Sequence, residues 1–352
     1  MDRICFKRFI PKGDDMKKSF LLTGLAFVLF AALVLVSCGN GGKRKIFDDG
    51  LTPVERYGAL QVAGSKLCDK NGKPVQLCGM SSHGLQWYGK FANKDVIKWL
   101  RDDWNADLWR AALYTNPYTQ NKNLGTKVTD SIDAAIELGM YVIVDWHVLD
   151  EHDPLLKADD AEIFFDMISS KYANVPNIIY EICNEPNSDS VTWNDNIKPY
   201  AERIIPVIRK NCDNIIVVGT PNWSGDLISP AENPITGQKN IMYTLHFYAG
   251  THGEDYRRQI TTANKKGLAV FVTEWGTTKA SGDGGVFEKE TLEWTKFLAK
   301  KQISWANWSV NNKGEDSGVL KYNKDKRAEG GWKDEDLQPS GILVRQILRG
   351  EK

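Results

Sequence analysis

The chain has no surplus of either charge: Lys plus Arg and Asp plus Glu each number 45 in 352 residues, and no run of five like charges occurs. A nucleic-acid binder carries a basic face or stripe, so no nucleic-acid partner is expected. Neither a GxGxxG turn nor a complete GxxxxGK[ST] loop is present, which argues against dinucleotide and nucleotide sites. The six cysteines include no CxxC pair and no Cys/His ligand spacing; no metal site and no cofactor are expected. No repeat array or additional module is left over, so a single globular domain is expected.

Aromatics are plentiful, with twelve Trp and twelve Tyr. Aromatic faces stack on the apolar C–H faces of sugars as readily as they fill cores. The N-terminus is a separate matter. Met16-Lys17-Lys18 precedes an apolar run over residues 20–36, followed by Ser37, Cys38 and Gly39. A charged start, an apolar middle and a small-residue end make an export signal. The end "LVSC" resembles the lipobox of bacterial lipoproteins, which implies cleavage before Cys38 and a lipid on its sulfur. Membrane contact is then expected only through that anchor, at the outer membrane or cell surface; secretion is the other exported fate. An uncleaved signal anchor is the competing reading, because 17 residues only just span a bilayer. Residues 1–15 lack signal character and read as an upstream start-site artefact. Residues 38–55, with "GNGGKRK", read as a flexible tether, and residues 56–352 as the folded domain. Of the four later cysteines, Cys183 reads as a small buried filler. Cys68 and Cys78 flank the turn "DKNGKP", but a bridge between them is not the favoured reading.

After residue 60, short apolar runs alternate with amphipathic segments. Residues 61–69 and 74–78 bracket an Asn-Gly turn and predict a hairpin closing one end of the domain. Eight strands follow: "LCGMSSH" (77–83), "ADLWRAALY" (106–114), "YVIVDWH" (141–147), "NIIYEICNE" (177–185), "NIIVVGT" (214–220), "NIMYTLHFY" (240–248), "LAVFVTEWG" (268–276) and "SWANWSV" (304–310). Helical patterns such as "DVIKWLRDDW" and "ETLEWTKFLAKK" lie between them. Eight strands at about 30-residue spacing, each followed by a helix, predict an α/β fold of the (β/α)8 TIM-barrel type. A doubly wound open sheet is the rival, and it lacks its phosphate loop here.

Polar residues cluster at the strand ends, where such barrels build their sites. Glu185 ends the fourth strand and Glu274 the seventh. Two carboxylates facing each other across a barrel mouth suit glycoside hydrolysis, which needs a proton donor to the leaving oxygen and a group on the opposite side of the anomeric carbon. Glu181 shares the parity of Glu185 but lies deeper, and is expected in a structural polar pair. In a regular strand Asn184 and Glu185 point to opposite faces. For both to serve the site, the strand must leave its pleat, with Pro186 ending the ladder.

"NEP" on the fourth strand, "HFY" on the sixth, "EWG" on the seventh and "NWS" on the eighth together resemble glycoside hydrolase family 5. "GMSSHGLQWYG", "DWHVLDEHDP" and "WSVNNKGEDS" are similar to its bacterial endoglucanase subfamily, over residues 57–350. The resemblance implies Glu185 as acid/base and Glu274 as nucleophile, with Arg110, His147, Asn184, His246 and Tyr248 completing the catalytic centre. It implies substrate contacts from His83, Trp87, Tyr114, Trp223, Trp308, Lys313 and Glu315. It further implies a retaining endo-β-1,4-glucanase, without cofactor or metal and monomeric, acting on a β-glucan polysaccharide. Mannanase, licheninase and xyloglucanase are alternatives on the same barrel, and a non-catalytic surface glycan-binding lipoprotein is the alternative outside the enzyme class. Physically, Arg110 as a permanent cation suits holding Glu274 ionised, Tyr248 suits donating to the same carboxylate, and His246 is expected beside Glu185. His152 and His252 find no partner in the pattern and read as solvated loop residues.

Overall fold

The structure, a computed structural model, describes residues 43–173, 175–322 and 328–352. The export signal, Cys38 and the lipid expected on it lie outside the described residues. Among the described residues no helix is long and apolar enough to cross a membrane.

An antiparallel hairpin comes first, β1 (Gln61–Ala63) with β2 (Lys66–Cys68). Eight parallel barrel strands follow: β3 (Cys78–Ser82), β4 (Leu108–Tyr114), β5 (Tyr141–His147), β6 (Ile178–Glu181), β7 (Ile216–Val218), β8 (Ile241–Thr244) continued by β9 (Phe247–Tyr248), β10 (Val270–Gly276) and β11 (Trp305–Val310). β11 pairs with both β10 and β3, so the barrel closes. The (β/α)8 architecture is therefore the one observed.

The strands are buried on both faces, which explains their near-continuous apolar composition. Side-chain alternation then sorts the residues into layers. Trp109, Ala111 and Leu113 of β4 face the helices. Leu108 joins Tyr141, Ile143, Ile179, Val217 and Phe271 in an apolar layer at the lower end of the barrel. One step higher, the interior turns polar: Arg110, Asp145, Glu181, Thr244 and Thr273 are all fully buried. The hairpin closes the lower end, with Leu60, Leu67 and Val75 packed into the apolar layer.

Two expectations need correction. The hairpin turns at Gly64–Ser65; the Asn71–Gly72 turn closes only an isolated bridge between Cys68 and Pro74. The flexible tether expected over residues 38–55 is bound to the barrel from Lys43 onward. The Arg44 guanidinium pairs with Asp107 and donates to the Leu348 carbonyl at 2.5 Å, and Phe47 packs edge-on against Tyr57. The helix Pro53–Tyr57 follows, opened by a Thr52/Glu55 capping box. Its Val54 amide donates to the carbonyl of Gly139, whose φ of 64° ends the helix Gly125–Leu138. A Cβ at Gly139 would meet Thr52 Oγ1 at 2.3 Å, so that contact requires glycine. Composition suggested a linker because the segment is polar and glycine-rich; a buried ion pair does the docking. Cys68, Cys78, Cys183 and Cys212 are free thiols, and Cys183 is fully buried.

Candidate active site

Both candidate carboxylates sit just beyond a slip in the pleat of their strand. β6 keeps its ladder only to Glu181. The Ile182 amide donates to Val217 on the β7 side, but those of Asn184 and Glu185 both donate toward β5, to Trp146 and Val148. Consecutive amides of a regular strand point to opposite neighbours. The break turns Cys183 into the helix-facing core and brings Asn184 and Glu185 over the mouth together. β10 repeats the device, with a register shift between Val272 and Trp275. Thr273 and Glu274 both reach the interior, where they bond Glu181 and Arg110, while Trp275 joins the outer core. Such bulges re-aim side chains next to functional sites.

Glu274 accepts hydrogen bonds from Arg110 Nη1 at 3.0 Å and the Tyr248 hydroxyl at 2.8 Å. Glu185 Oε1 bonds His246 Nδ1 at 2.8 Å. One oxygen of each carboxylate and a ring nitrogen of His246 lie within 4.8 Å of one another. Beneath them, Arg110 also grips Glu181 through Nε at 2.7 Å and Nη2 at 3.1 Å. Its Nη2 donates to Asn184 Oδ1 at 2.6 Å and pairs with Asp145 at 2.9 Å. The Asn184 amide lies 3.2 Å from His147 Nε2 and donates to the Val148 carbonyl at 3.3 Å. Both its hydrogens thus have long-range partners. With Nε2 accepting, His147 Nδ1 carries the proton and donates to Asp145 at 2.6 Å.

Above this layer opens a cleft of about 750 Å³. Among the described residues, every predicted catalytic and substrate-binding residue lines it except Arg110 and Asn184, which stand behind the wall. One half comes from β11, β3, β4 and β5: Tyr114 stacks on His147 with ring centres 4.1 Å apart, His147 on Trp308 at 5.5 Å, and Trp87 stands edge-on to Tyr114. Lys313 pairs with Glu315 at 2.7 Å beside them. In the other half, Trp223 is 51% exposed and is carried by three successive left-handed residues, Asn222, Trp223 and Ser224. Strain of that kind, at non-glycine positions, marks loops that present a side chain for use.

Residues 68–314 match the cellulase family, glycosyl hydrolase family 5. The chain belongs to glycosyl hydrolase family 5. It is 50% identical to endoglucanase A of Evansella cellulosilytica over 79% of this chain, and 49% identical to an endoglucanase of Clostridium saccharobutylicum over 83%. The chain spans 57% and 65% of the length of these two relatives. Among solved structures, the endoglucanase catalytic domain of Thermobifida fusca superposes with a TM-score of 0.80 at 38% identity, covering 85% of this chain and 100% of that one. A protein of Cytophaga hutchinsonii superposes at 0.82 with 45% identity, covering 86% and 97%.

The electrostatics of this family 5 site follow from who neighbours whom. Burial lowers the pKa of His147 and Arg110 adds to the effect, so it falls to about 3. His83 falls equally far, through burial and then Lys313. Burial also opposes charge on His246, but the hydrogen bond to Glu185 and attraction from Glu181 and Glu185 win and raise it to about 9. Its Nε2 lies 2.9 Å from Thr273 Oγ1 and 3.7 Å from Glu181, so the pull of Glu181 acts without a direct bond. Burial would lower Arg110, yet Asp145, Glu181 and Glu274 raise it well above its ordinary value.

Reading the sequence missed Asp145, which shares the inward parity of His147 two residues on. It also missed Thr273, which bonds Glu181 and His246. His252 is not a solvated residue: its Nδ1 accepts the Tyr248 amide, its ring stacks on Tyr256 at 4.3 Å, and both rings line the cleft. His152, although exposed, bonds Asn187. Glu185, His246 and Glu274 have the donor types for a cation, but hydrogen bonds to one another, Arg110, Tyr248 and Thr273 already occupy those atoms.

Proposed function

We propose that this protein is a retaining endo-β-1,4-glucanase. The carrying observation is the pair of carboxylates with oxygens within 4.8 Å of each other at the mouth of an open, aromatic-lined cleft. Retaining glycosidases hold their carboxyl groups about 5 Å apart, whereas inverting ones leave a wider gap for water. Glu274, oriented by hydrogen bonds from Arg110 and Tyr248, attacks the anomeric carbon as Glu185 protonates the departing glycosidic oxygen. A glycosyl ester on Glu274 results. Water then attacks the same carbon, giving its proton to Glu185 and releasing Glu274 with the sugar configuration retained. The polar layer beneath holds the nucleophile, and the Trp87, Trp223 and Trp308 rings offer stacking faces to a flat, equatorially linked chain.

The relatives, endoglucanases at 49–50% identity, support a β-glucan as substrate. So does the cellotetraose bound to a variant of the Thermobifida fusca enzyme. The retention of both carboxylates with their partners speaks against a binding-only protein. On this reading the chain is exported and held to a membrane by a lipid on Cys38.

A polysaccharide panel tests the assignment. Carboxymethyl cellulose and mixed-linkage β-glucan are expected well above glucomannan, with mannan and xylan near zero and viscosity falling before much reducing sugar appears. The first-formed product is the β-anomer by proton NMR; an α-anomer overturns the mechanism, and mannan as best substrate overturns the specificity.

A further inference from the structure

In this formally neutral chain, basic groups predominate in the helix last turns, over acidic ones such as Asp102 and Glu137. Helices of such a barrel start near the mouth and end at the opposite face. Their last turns carry Arg101, Lys171, Arg209, Lys265, Lys300 and Arg345. Their first turns carry Asp95, Asp159, Glu254 and Glu288. Part of this sorting complements the helix dipoles. That account does not extend to Lys43 and Lys45 on the docked arm or to Lys70 and Lys73 beyond the hairpin. All four are exposed at the closed end of the barrel.

The arm supplies the second observation. Arg44 is fastened to Asp107, at the lower end of β4, and to the carbonyl of Leu348, near the end of the last helix. The described chain therefore begins on the face opposite the mouth. Cys38 lies five residues before Lys43, a span of at most about 17 Å. That is on the order of two Debye lengths at physiological ionic strength. Beyond one Debye length the attraction is largely screened, so a lipid on Cys38 would bring this basic face within range of the headgroups when that five-residue span is not fully extended.

We propose that the closed, basic face of the barrel docks on an anionic phospholipid bilayer, with the mouth turned away from the membrane toward the polysaccharide. The proposal rests on the reading of Cys38 as the lipid-bearing residue for its orientation, and on the face itself for its binding.

Lysine footprinting of the full chain on vesicles tests it, with phosphatidylcholine alone compared with an equal mixture of phosphatidylcholine and phosphatidylglycerol. On the anionic vesicles Lys70, Lys73, Lys265 and Lys300 lose reactivity toward an amine reagent, while Lys90 and Lys279 near the mouth keep theirs. On phosphatidylcholine alone, both sets react. Roughly 0.5 M salt, where the Debye length falls to ~4 Å, restores the reactivity. Joint replacement of Lys70, Lys73 and Lys300 by Gln weakens association by on the order of a hundredfold, with hydrolysis of soluble glucan unchanged. Equal footprints on the two vesicle types, or protection of the mouth lysines instead, overturns the proposal. Release of the Cys38→Ala chain from host membranes reports on the anchor separately, so a failed anchor and a failed docking face give different results.

Discussion

Two histidines on opposite sides of the cleft differ in charge state, one neutral and one cationic. His147 and His246 are equally buried, each at 2% exposure, and each has a carboxylate at hydrogen-bond distance. His147 sits above Arg110, whose charge adds to burial and holds the ring neutral, with a pKa of about 3. His246 faces Glu181 and Glu185 and is driven up to about 9. Burial by itself predicts neutral rings in both places; the neighbouring strands decide. In the half of the site built around Arg110 the imidazole is neutral, and in the half around His246 the imidazole holds its proton beside Glu185.

The largest effect should come from the carboxylates, one in each half. Glu185→Gln is expected to slow polysaccharide hydrolysis by about 10²–10⁴-fold, the usual worth of a general acid. It should spare the glycosylation step of a dinitrophenyl cellobioside, whose leaving group needs little protonation. Glu274→Gln should abolish both. Equal losses on the two substrates for Glu185→Gln would remove the distinction between the halves. Next in size is Arg110→Met, which leaves Asp145, Glu181 and Glu274 buried without their cation. Stability should fall by about 3–5 kcal/mol in urea unfolding, as for other broken buried ion pairs; a loss below 1 kcal/mol would show that the carboxylates are not charged together.

The histidines give a sharper test, because their pH dependences have opposite signs. His246 has a folded-state pKa above its unfolded value near 6.5. Its contribution is fully present below pH 6.5 and is lost as pH rises through about 9. His147 has a depressed value, so its contribution is zero above pH 6.5 and becomes destabilising as pH falls toward 3. Thermal unfolding of His246→Gln should therefore converge on the parent at alkaline pH, and His147→Gln should gain on the parent in acid. Over the full titration each change should amount to about 3–5 kcal/mol, the larger for His147; parallel curves would contradict the assigned charge states. The smallest effect is Trp223→Ala, in the half around His246: about 1 kcal/mol of substrate affinity, the worth of an aromatic stack, seen in KM with stability nearly unchanged. Tyr114→Ala, in the half around Arg110, should instead cost about 3 kcal/mol of stability.

The barrel was legible because its signals are local. Apolar runs of strand length at regular spacing, each before an amphipathic helix, need no partner to be recognised. The same applies to Glu185 and Glu274, which stand at polar strand ends. His252 was misread because its partners, the Tyr248 amide and the Tyr256 ring, sit across a turn whose path no periodicity describes. The docked arm was misread because Arg44 meets Asp107 from 63 residues away.

What the sequence by itself determined is the order of strands, the layer to which each alternating side chain belongs, and the two carboxylates at the mouth; each follows from backbone periodicity along one segment. Where alternation fails, at residues 182–185 and 272–275, only the tertiary structure decided, because a pleat slips when its amides choose which neighbouring strand to bond. The charges were decided there too. Whether a buried imidazole keeps its proton depends on the balance of a cation on β4 against carboxylates on and just beyond β6, and that balance exists only once the barrel has closed.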